Sequence, residues 1–315
     1  MREIGGYLEL DRYKLPMLHE NGLALNTGRN CLRYLIETKE IKSILMPYYI
    51  CDVVEDMCNK CNVNIRRYHV NTLFEPIIED IGEDEWLYVV NYYGQLTPEY
   101  MIDLRDRFSN IIFDHAQAYY ASPIRKADNI YSCRKFFGVP DGAFLYTDVD
   151  ISEELEYDRS CDAMDYVLGR FEGIASDYYA RYTEHENGMA DLALKRMSKL
   201  TWNLLHGIDY DNCRIIRNSN YSALDSILKD DNAISPIIPD GPFMYPFMVE
   251  NAAEIRKKLI ERQVYVPVFW KNVLNDCNKG SSDYTLAADI LPLPCDQRYS
   301  QDDMRYVADV VMDAL

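Results

Sequence analysis

A carboxylate and an amide follow an apolar run near the middle of the chain. The run Asn110–Phe113 leads to Asp114 and, three residues later, to Gln117. A carboxylate at the end of a buried strand can stabilise a protonated ring nitrogen, and an amide beside it can hydrogen-bond a ring oxygen. An Asp in such a position more often caps a helix or forms a turn, so this pair alone does not define a site.

A lysine follows the next apolar run of the chain. Asn129–Ser132 is followed by Cys133 and Arg134, and then by Lys135 and two phenylalanines. A lysine forms an imine with a carbonyl compound only while its amine is unprotonated, and apolar neighbours and a nearby cation both favour that form. The alternative is an exposed surface lysine, which most lysines are.

A glycine turn precedes the first helical pattern. Thr27, Gly28 and Arg29 lead into the helical stretch Asn30–Thr38. The free N–H groups and the positive dipole at a helix N-terminus suit a phosphate, and the hydroxyls of Thr27 and Ser132 would complete such a site. Thr also begins many helices as an ordinary cap, so the turn by itself is weak evidence.

The order of the three motifs indicates a site for pyridoxal phosphate (PLP), because Lys135 follows Asp114 by 21 residues and the glycine turn lies near the start. The chain resembles the DegT/DnrJ/EryC1/StrS family of PLP-dependent sugar aminotransferases, in particular a short subgroup associated with bacterial polysaccharide gene clusters. The segments that carry the resemblance are Ile4-Gly5-Gly6-Tyr7, Asn26-Thr27-Gly28-Arg29-Asn30, Pro47-Tyr48-Tyr49-Ile50-Cys51, Asn91-Tyr92-Tyr93-Gly94, Asp114-His115-Ala116-Gln117 and Tyr131-Ser132-Cys133-Arg134-Lys135. The resemblance covers the first two thirds well and the last third loosely.

The resemblance implies a role for each residue of the three motifs. Lys135 would be the Schiff-base lysine and proton shuttle, Asp114 the partner of the pyridinium nitrogen, and Gln117 a ligand of the phenolate oxygen. The phosphate would be bound by Thr27, Gly28, Arg29 and Ser132. Family members often stack an aromatic residue on the cofactor ring, and Tyr49 is our candidate, although core packing explains a tyrosine there equally well.

Two departures from the family pattern bear on the substrate. The glycine signature after the lysine is Pro140-Asp141-Gly142-Ala143 in place of a Gly-Glu-Gly-Gly run, and no Arg-Asn-His-Gly-like segment follows. Both regions help family members hold the sugar nucleotide. The resemblance therefore transfers cofactor binding more safely than substrate choice.

The elements that must position these residues alternate along the first half of the chain. Strand-like runs alternate there with helical patterns, which predicts a mostly parallel sheet covered on both faces. The resemblance implies PLP-dependent transferase fold type I, the fold of aspartate aminotransferase, with a smaller C-terminal α+β domain. We expect a large domain with a helical connector over residues 1–208 and a small domain over 209–315. The other predicted strands are Ser43–Met46, Asn64–His69, Leu87–Asn91, Ala143–Tyr146, Tyr245–Val249 and Val264–Val268, and the predicted helices include Asp52–Cys61, Pro98–Phe108, Ala163–Tyr182, Met189–Leu205, Ser222–Leu228, Ala252–Gln263 and one from Gln301.

Composition excludes several classes of protein. The net charge of −18 argues against a nucleic-acid binder, because phosphate backbones require a basic face. No window approaches 18 uncharged apolar residues, so we expect no signal peptide, no membrane span and a cytoplasmic protein. Among nine cysteines the only close pair is Cys58 and Cys61. A single CxxC without nearby histidines favours reduced thiols over a metal site, and we therefore expect no bound metal.

The resemblance implies a homodimeric aminotransferase that moves an amino group, taken from glutamate, to a nucleotide-linked keto-sugar in polysaccharide or deoxysugar biosynthesis. One alternative keeps PLP but changes the reaction, to a sugar dehydration or to transamination of a ketone that is not a sugar. Sugar dehydratases of this group carry a histidine where this chain has Lys135. Another alternative is a non-catalytic regulator or assembly partner with the same fold.

Overall fold

The computed structural model describes residues 4–149 and 154–315. One sheet of eight strands forms the N-terminal part of the molecule, and a two-stranded sheet lies in the C-terminal part. The strands are Leu23–Leu25 (β1), Ser43–Pro47 (β2), Asn64–Val70 (β3), Pro76–Ile77 (β4), Trp86–Val90 (β5), Ile111–Asp114 (β6), Asp128–Ser132 (β7), Ala143–Tyr146 (β8), Met244–Met248 (β9) and Ile290–Pro294 (β10).

The large sheet has the strand order β1-β8-β7-β6-β5-β2-β3-β4. The five strands from β7 to β3 are parallel, whereas β8, β1 and β4 each run antiparallel to a neighbour. Parallel strands direct their carboxyl ends to one edge of the sheet, where ligands of open α/β sheets gather. The segments that follow β2, β5, β6 and β7 therefore lie side by side at this edge.

The helices begin where the sequence offers caps. Thr27, Thr97 and Ser198 each accept a hydrogen bond from the backbone N–H three residues further on, as N-cap residues do. The helices are Gly28–Thr38 (α1), Asp52–Lys60 (α2), Pro98–Arg107 (α3), Asp165–Glu172 (α4), Ala175–Gly188 (α5), Lys199–Leu205 (α6), Tyr210–Leu228 (α7), Ala252–Glu261 (α8), Val273–Asp276 (α9), Ser282–Asp289 (α10) and Gln301–Met312 (α11). None of them, within the described ranges, is long and apolar enough to cross a membrane.

Two groups of buried side chains stabilise the molecule. The larger one surrounds the eight-stranded sheet and includes residues of α9 and α10. The smaller one joins α7, α8 and α11 to β9 and β10. The predicted division of the chain between residues 208 and 209 remains a prediction, since helices from beyond residue 209 also contribute to the larger group.

The structure confirms the predicted fold class and the predicted strands of the large sheet, to within one residue at each end. The helix predicted over Met189–Leu205 is wrong in its first half, which ends as extended chain. The Met197 N–H donates a hydrogen bond to the Ala24 carbonyl and the Asn26 N–H donates one to the Lys195 carbonyl, so this segment pairs with β1. The run Ala163–Tyr182 is two helices separated at Gly173. The start of the connector, from Ile151, lies outside the described residues.

The predicted strand Val264–Val268 is also wrong. This segment has no strand pairing in the structure, because β10 occupies the place beside β9. Val264 and Val266 are nevertheless buried, which accounts for the apolar pattern that suggested a strand. A short buried run is therefore compatible with extended chain outside any sheet.

Candidate functional site

Asp114 is the last residue of β6, at the edge where the parallel strands end. Its carboxylate is 8% exposed and accepts hydrogen bonds from the Tyr88 hydroxyl and the Ala116 N–H, both at 2.8 Å. Burial, and then the charge of Asp114, raise the pKa of Tyr88 well above its usual value, so the hydroxyl keeps its proton and donates it. A carboxylate has about four acceptor positions. Asp114 is thus held rigidly and retains capacity for a further donor.

Gln117 is buried three residues further on. Its Oε1 accepts the Tyr93 N–H at 3.0 Å, which fixes the orientation of the amide. Tyr93 itself has a positive φ of 52°. Among the described residues the Gln117 amide nitrogen has no hydrogen-bond acceptor, and it is not one of the buried, unsatisfied atoms. Gln117 therefore presents an N–H donor beside Asp114.

His115, between these two residues, has a structural environment. Its ring is fully buried, stacks on Tyr131 at a centroid distance of 4.9 Å, and lies 3.3 and 3.2 Å from the side chains of Asn91 and Asn129. Burial lowers its pKa to about 4, against the hydrogen bond with Asn129. The neutral imidazole is thus enclosed in the sheet and takes no part in the site.

Lys135 lies in the turn that follows β7. Its side chain is exposed, and among the described residues it forms neither a hydrogen bond nor an ion pair. Its charge acts on Cys51, the residue before α2, although burial dominates there and raises the pKa of that thiol. The amine thus lies near enough to the start of α2 for its charge to act on Cys51.

The aromatic and cationic neighbours of Lys135 do not surround its amine, as their sequence positions suggest they would. Phe136 and Phe137 are buried in an aromatic cluster around Tyr119 and do not cover the lysine. Arg134 forms an ion pair with Glu186 of α5, which offsets its charge. In the single chain the Lys135 amine therefore faces solvent.

The start of α1 has the properties of an anion site. Thr27 caps the helix by accepting the Asn30 N–H at 3.0 Å. A Cβ built on Gly28 would meet only Ile130, at 3.8 Å, so the space above this turn is open. Burial, followed by the charge of Arg134, lowers the pKa of Arg29, which has no carboxylate within ion-pair distance among the described residues. The open turn and the unpaired cation suit a phosphate.

Ser132 and Tyr49 complete the predicted set. Ser132 ends β7 half-buried, and its hydroxyl has no hydrogen-bond partner in the described part of the chain. Tyr49 is fully buried: its ring packs edge-on against Trp270 at 4.4 Å and lies 5.0 Å from Tyr92. These contacts favour the core-packing explanation of Tyr49.

Sequence reasoning placed Tyr93 on the substrate side of the site but missed that its backbone N–H orients Gln117, and it missed Tyr88, which orients Asp114. Tyr88 lies on β5, the strand that pairs with β6, and only the sheet register brings its hydroxyl to Asp114. No spacing rule in the sequence connects two residues on different strands. The single available signal was a tyrosine, with its polar hydroxyl, within an otherwise apolar strand.

Two cavities, of about 540 and about 350 Å³, lie elsewhere in the molecule and contain none of the predicted site residues. No group of three or more metal-binding side chains occurs within the described ranges. The candidate site is thus an open edge of the sheet, bounded by the start of α1, the Asp114 carboxylate and the Lys135 amine.

No protein-family model matches the chain, and no curated protein matches it by sequence. Solved structures do resemble it. A DegT DnrJ EryC1 StrS aminotransferase from Brucella abortus is 13% identical, with a TM-score of 0.63 over 92% of this chain and 85% of that one. Helicobacter pylori PseC, an aminotransferase involved in the biosynthesis of pseudoaminic acid, is 12% identical, with a TM-score of 0.64 over 93% and 86%. NtdA from Bacillus subtilis, with bound cofactor PMP, is 13% identical, with a TM-score of 0.65 over 93% and 72%. These likenesses establish the fold of the chain.

Proposed function

We propose that this chain, whose fold is that of the DegT/DnrJ/EryC1/StrS aminotransferases, is itself a PLP-dependent aminotransferase. The observation that carries the proposal is the Asp114 carboxylate, which Tyr88 and Ala116 hold at the edge of the sheet where β7 leads to Lys135. The NtdA neighbour is described with bound PMP, the amino form of this cofactor. Likeness of fold and chemistry of the site thus point to the same cofactor.

The residues present fit PLP at each of its polar groups. The open turn at Gly28, with Thr27, Arg29 and Ser132, would hold the phosphate. The free N–H of Gln117 would meet the phenolic oxygen, and Asp114 the ring nitrogen. When bound, PLP withdraws electrons from the substrate carbon that loses its proton. The negative charge of Asp114 keeps the ring nitrogen protonated, which that withdrawal requires.

Lys135 would attach the cofactor and move a proton with its Nζ. Such a group needs access to the substrate and a position free of competing partners, and Lys135 has both in the described structure. His115 is buried and neutral, so Lys135 is the base that we assign to the reaction.

For the substrates we propose glutamate as the amino donor and a nucleotide-linked keto-sugar as the acceptor, in polysaccharide or deoxysugar biosynthesis in the cytoplasm. Support comes from the neighbours, which include a sugar aminotransferase of Micromonospora echinospora as well as PseC. The departures from the family pattern after Lys135 bear on the acceptor. A substrate screen that finds turnover with a ketone other than a sugar would support the alternative reaction.

We also propose that the enzyme is a homodimer. A compact monomer of this mass exposes about 13,600 Å², whereas this chain exposes 16967 Å². Much apolar surface lies on α4, between α4 and α5, and on the described chain before β1. Phe171 is 91% exposed, Ile174 is 63% exposed and Tyr7 is 99% exposed. The excess is about 3,400 Å² for one chain and about 6,800 Å² for two, which is more than the roughly 2,000–5,000 Å² that most obligate interfaces bury in total. A dimer interface of that class would therefore account for much of this excess. A second copy would cover this surface and shield Lys135 from solvent.

The test is whether Lys135 binds PLP covalently and whether glutamate converts the bound cofactor to its amino form. We expect the purified protein with PLP to show the visible absorbance of a lysine-bound cofactor and to lose it on addition of glutamate. Borohydride reduction followed by peptide mass spectrometry should place the label on Lys135, and Lys135→Ala should abolish both signals. Lys126→Ala, at an exposed lysine in the turn before β7, is the control.

The proposal fails if another lysine carries the label or if no cofactor binds. A protein without cofactor would be a non-catalytic relative. Retention of the absorbance with glutamate, and its loss with another amine, would keep PLP and change the donor.

A further inference from the structure

A pocket of about 350 Å³ lies at the outer edge of the large sheet, beside the start of β1. Residues 22–24 form one side of it, and Tyr157, Arg196, Met197, Lys199 and Trp202 form the other. We call it the β1 pocket. The glycine turn at Thr27 follows the opposite end of β1, about 10 Å further along the extended chain. The β1 pocket is therefore separate from the proposed cofactor site.

Two cations converge on one aromatic ring in this pocket. The guanidinium carbon of Arg196 lies 5.8 Å from the Tyr157 ring centroid, and the Lys199 Nζ lies 5.4 Å from it. Among the described residues neither cation has a carboxylate within 4 Å, although the chain carries a net charge of −18. Two like charges near one ring repel each other, and an anion between them removes that repulsion. The pocket is thus built for a negatively charged group.

The remaining walls are flat and largely apolar. Tyr157 is half exposed, Trp202 is half-buried, and Leu23 and Met197 add aliphatic surface. The two cations lie over the Tyr157 ring, so Trp202 is the aromatic wall that remains for a planar ring to stack against. Inorganic phosphate alone would leave this surface uncovered. A ligand that carries both a planar ring and a phosphate uses all the walls of the pocket.

We propose that the β1 pocket binds a mononucleotide, with its phosphate at Arg196 and Lys199 and its base against Trp202. The volume of the pocket lies within the range of small-molecule sites, about 300–1,000 Å³. The inference does not depend on the proposed transamination, because no residue of the pocket belongs to the cofactor site. The acceptor proposed for the transamination also carries a nucleotide, so a pocket variant that keeps its full nucleotide affinity would place the binding at the cofactor site and overturn this inference.

The experiment is calorimetric titration of the protein with uridine and adenosine monophosphates, with uridine and with inorganic phosphate as separate probes. We expect at least one nucleotide to bind, and uridine and phosphate each to bind at least about tenfold more weakly. The double variant Arg196→Gln/Lys199→Gln should weaken nucleotide binding by about tenfold or more. Trp202 supplies a second signal: the nucleotide should quench tryptophan fluorescence, and Trp202→Phe should remove that change.

The matched control is Arg262→Gln/Lys279→Gln, which removes one exposed Arg and one exposed Lys outside the pocket. Its nucleotide affinity should equal that of the unmodified protein. Arg196 and Lys199 are exposed, so their variant should retain the melting temperature. The proposal is overturned if neither nucleotide binds, if both double variants lose affinity equally, or if phosphate alone binds as tightly as a nucleotide.

Discussion

At the scale of single residues, the candidate site depends on how its polar groups are held. Asp114 and Gln117 are both buried and each accepts a backbone N–H, from Ala116 and Tyr93 respectively. Buried polar groups with defined partners have one orientation, which a binding site needs. The structure thus supplies oriented groups at the positions that the sequence motif predicts.

The first residue-scale prediction concerns Asp114 and its hydrogen-bond donor. Asp114→Asn should lower kcat by about a hundredfold, because the neutral amide cannot stabilise a protonated ring nitrogen. Tyr88→Phe removes one hydrogen bond to the carboxylate and should lower kcat by about tenfold. Steady-state kinetics with glutamate measure both. Tyr100→Phe, at a half-buried tyrosine on α3, should leave kcat unchanged, and an active Asp114→Asn enzyme would contradict the assignment.

The second prediction concerns pH and the two buried histidines. Burial lowers the pKa of His115 and that of His19 to about 4, from 6.5 in an unfolded chain. The unfolded state therefore binds more protons than the folded state between pH 6.5 and 4. The free energy of unfolding therefore has its full value above pH 6.5. It falls as the pH drops from 6.5 towards 4, by about 3 kcal/mol for each ring, because the unfolded chain takes up a proton that the folded chain does not.

Urea unfolding at a series of pH values checks this prediction. His115→Gln should be less stable than the unmodified protein at pH 7 and should show a smaller loss of stability between pH 6.5 and 4. His206, which is only half-buried, provides the comparison through His206→Gln. An unchanged pH dependence in His115→Gln would show that another group causes the acid instability.

At the scale of elements, α10 docks the C-terminal part of the chain onto β3. The buried carboxylate of Asp283 lies 2.5 Å from His69 Nδ1 and accepts the Val70 N–H at 3.1 Å. The Ser282 hydroxyl donates to the Val70 carbonyl. This set of bonds joins α10 to the end of a strand at the same edge of the sheet as the candidate site.

The third prediction follows from this docking contact. Asp283→Asn keeps the shape of the side chain but removes its charge, and we expect a loss of about 2 kcal/mol in unfolding free energy. Asp276→Asn, at an exposed position of α9, should cost less than about 0.5 kcal/mol. Urea unfolding measures both variants. Equal stability of the two would mean that the contact with His69 contributes nothing.

At the scale of the whole molecule, the exposed apolar surface is the main feature that a single chain leaves unexplained. Leu168, Phe171 and Ile174 lie on or between α4 and α5 and are all more than half exposed. Large apolar side chains exposed close together in the chain are typical of an interaction site. The proposed dimer gives it a partner.

The fourth prediction tests that interface. Phe171→Glu should convert the dimer to a monomer, because charge is excluded from interface cores. Light scattering after size exclusion measures this change. The monomer should have a kcat lower by at least about tenfold, because no second copy then shields Lys135 from solvent. Ile215→Glu introduces the same charge at an exposed isoleucine of α7 and should leave the dimer intact. A dimeric Phe171→Glu protein would place the interface elsewhere.

The sequence by itself determined six of the eight strands of the large sheet, all but β1 and β4, and the order of Asp114, Lys135 and the Thr27 turn along the chain. Apolar runs, helix caps and residue order along the chain are local properties, and a local pattern suffices to predict them. The resemblance to one family of aminotransferases added the fold, which the structure confirms.

Only the tertiary structure decided which partners these residues have. Tyr88 reaches Asp114 through the register of two strands, and Tyr49 is enclosed by Trp270 from a distant part of the chain. The pairing of residues 195–197 with β1 overrides a helical pattern and, with Tyr157, forms the β1 pocket. Such contacts join residues far apart in sequence, and their free energy exists only once the chain has folded.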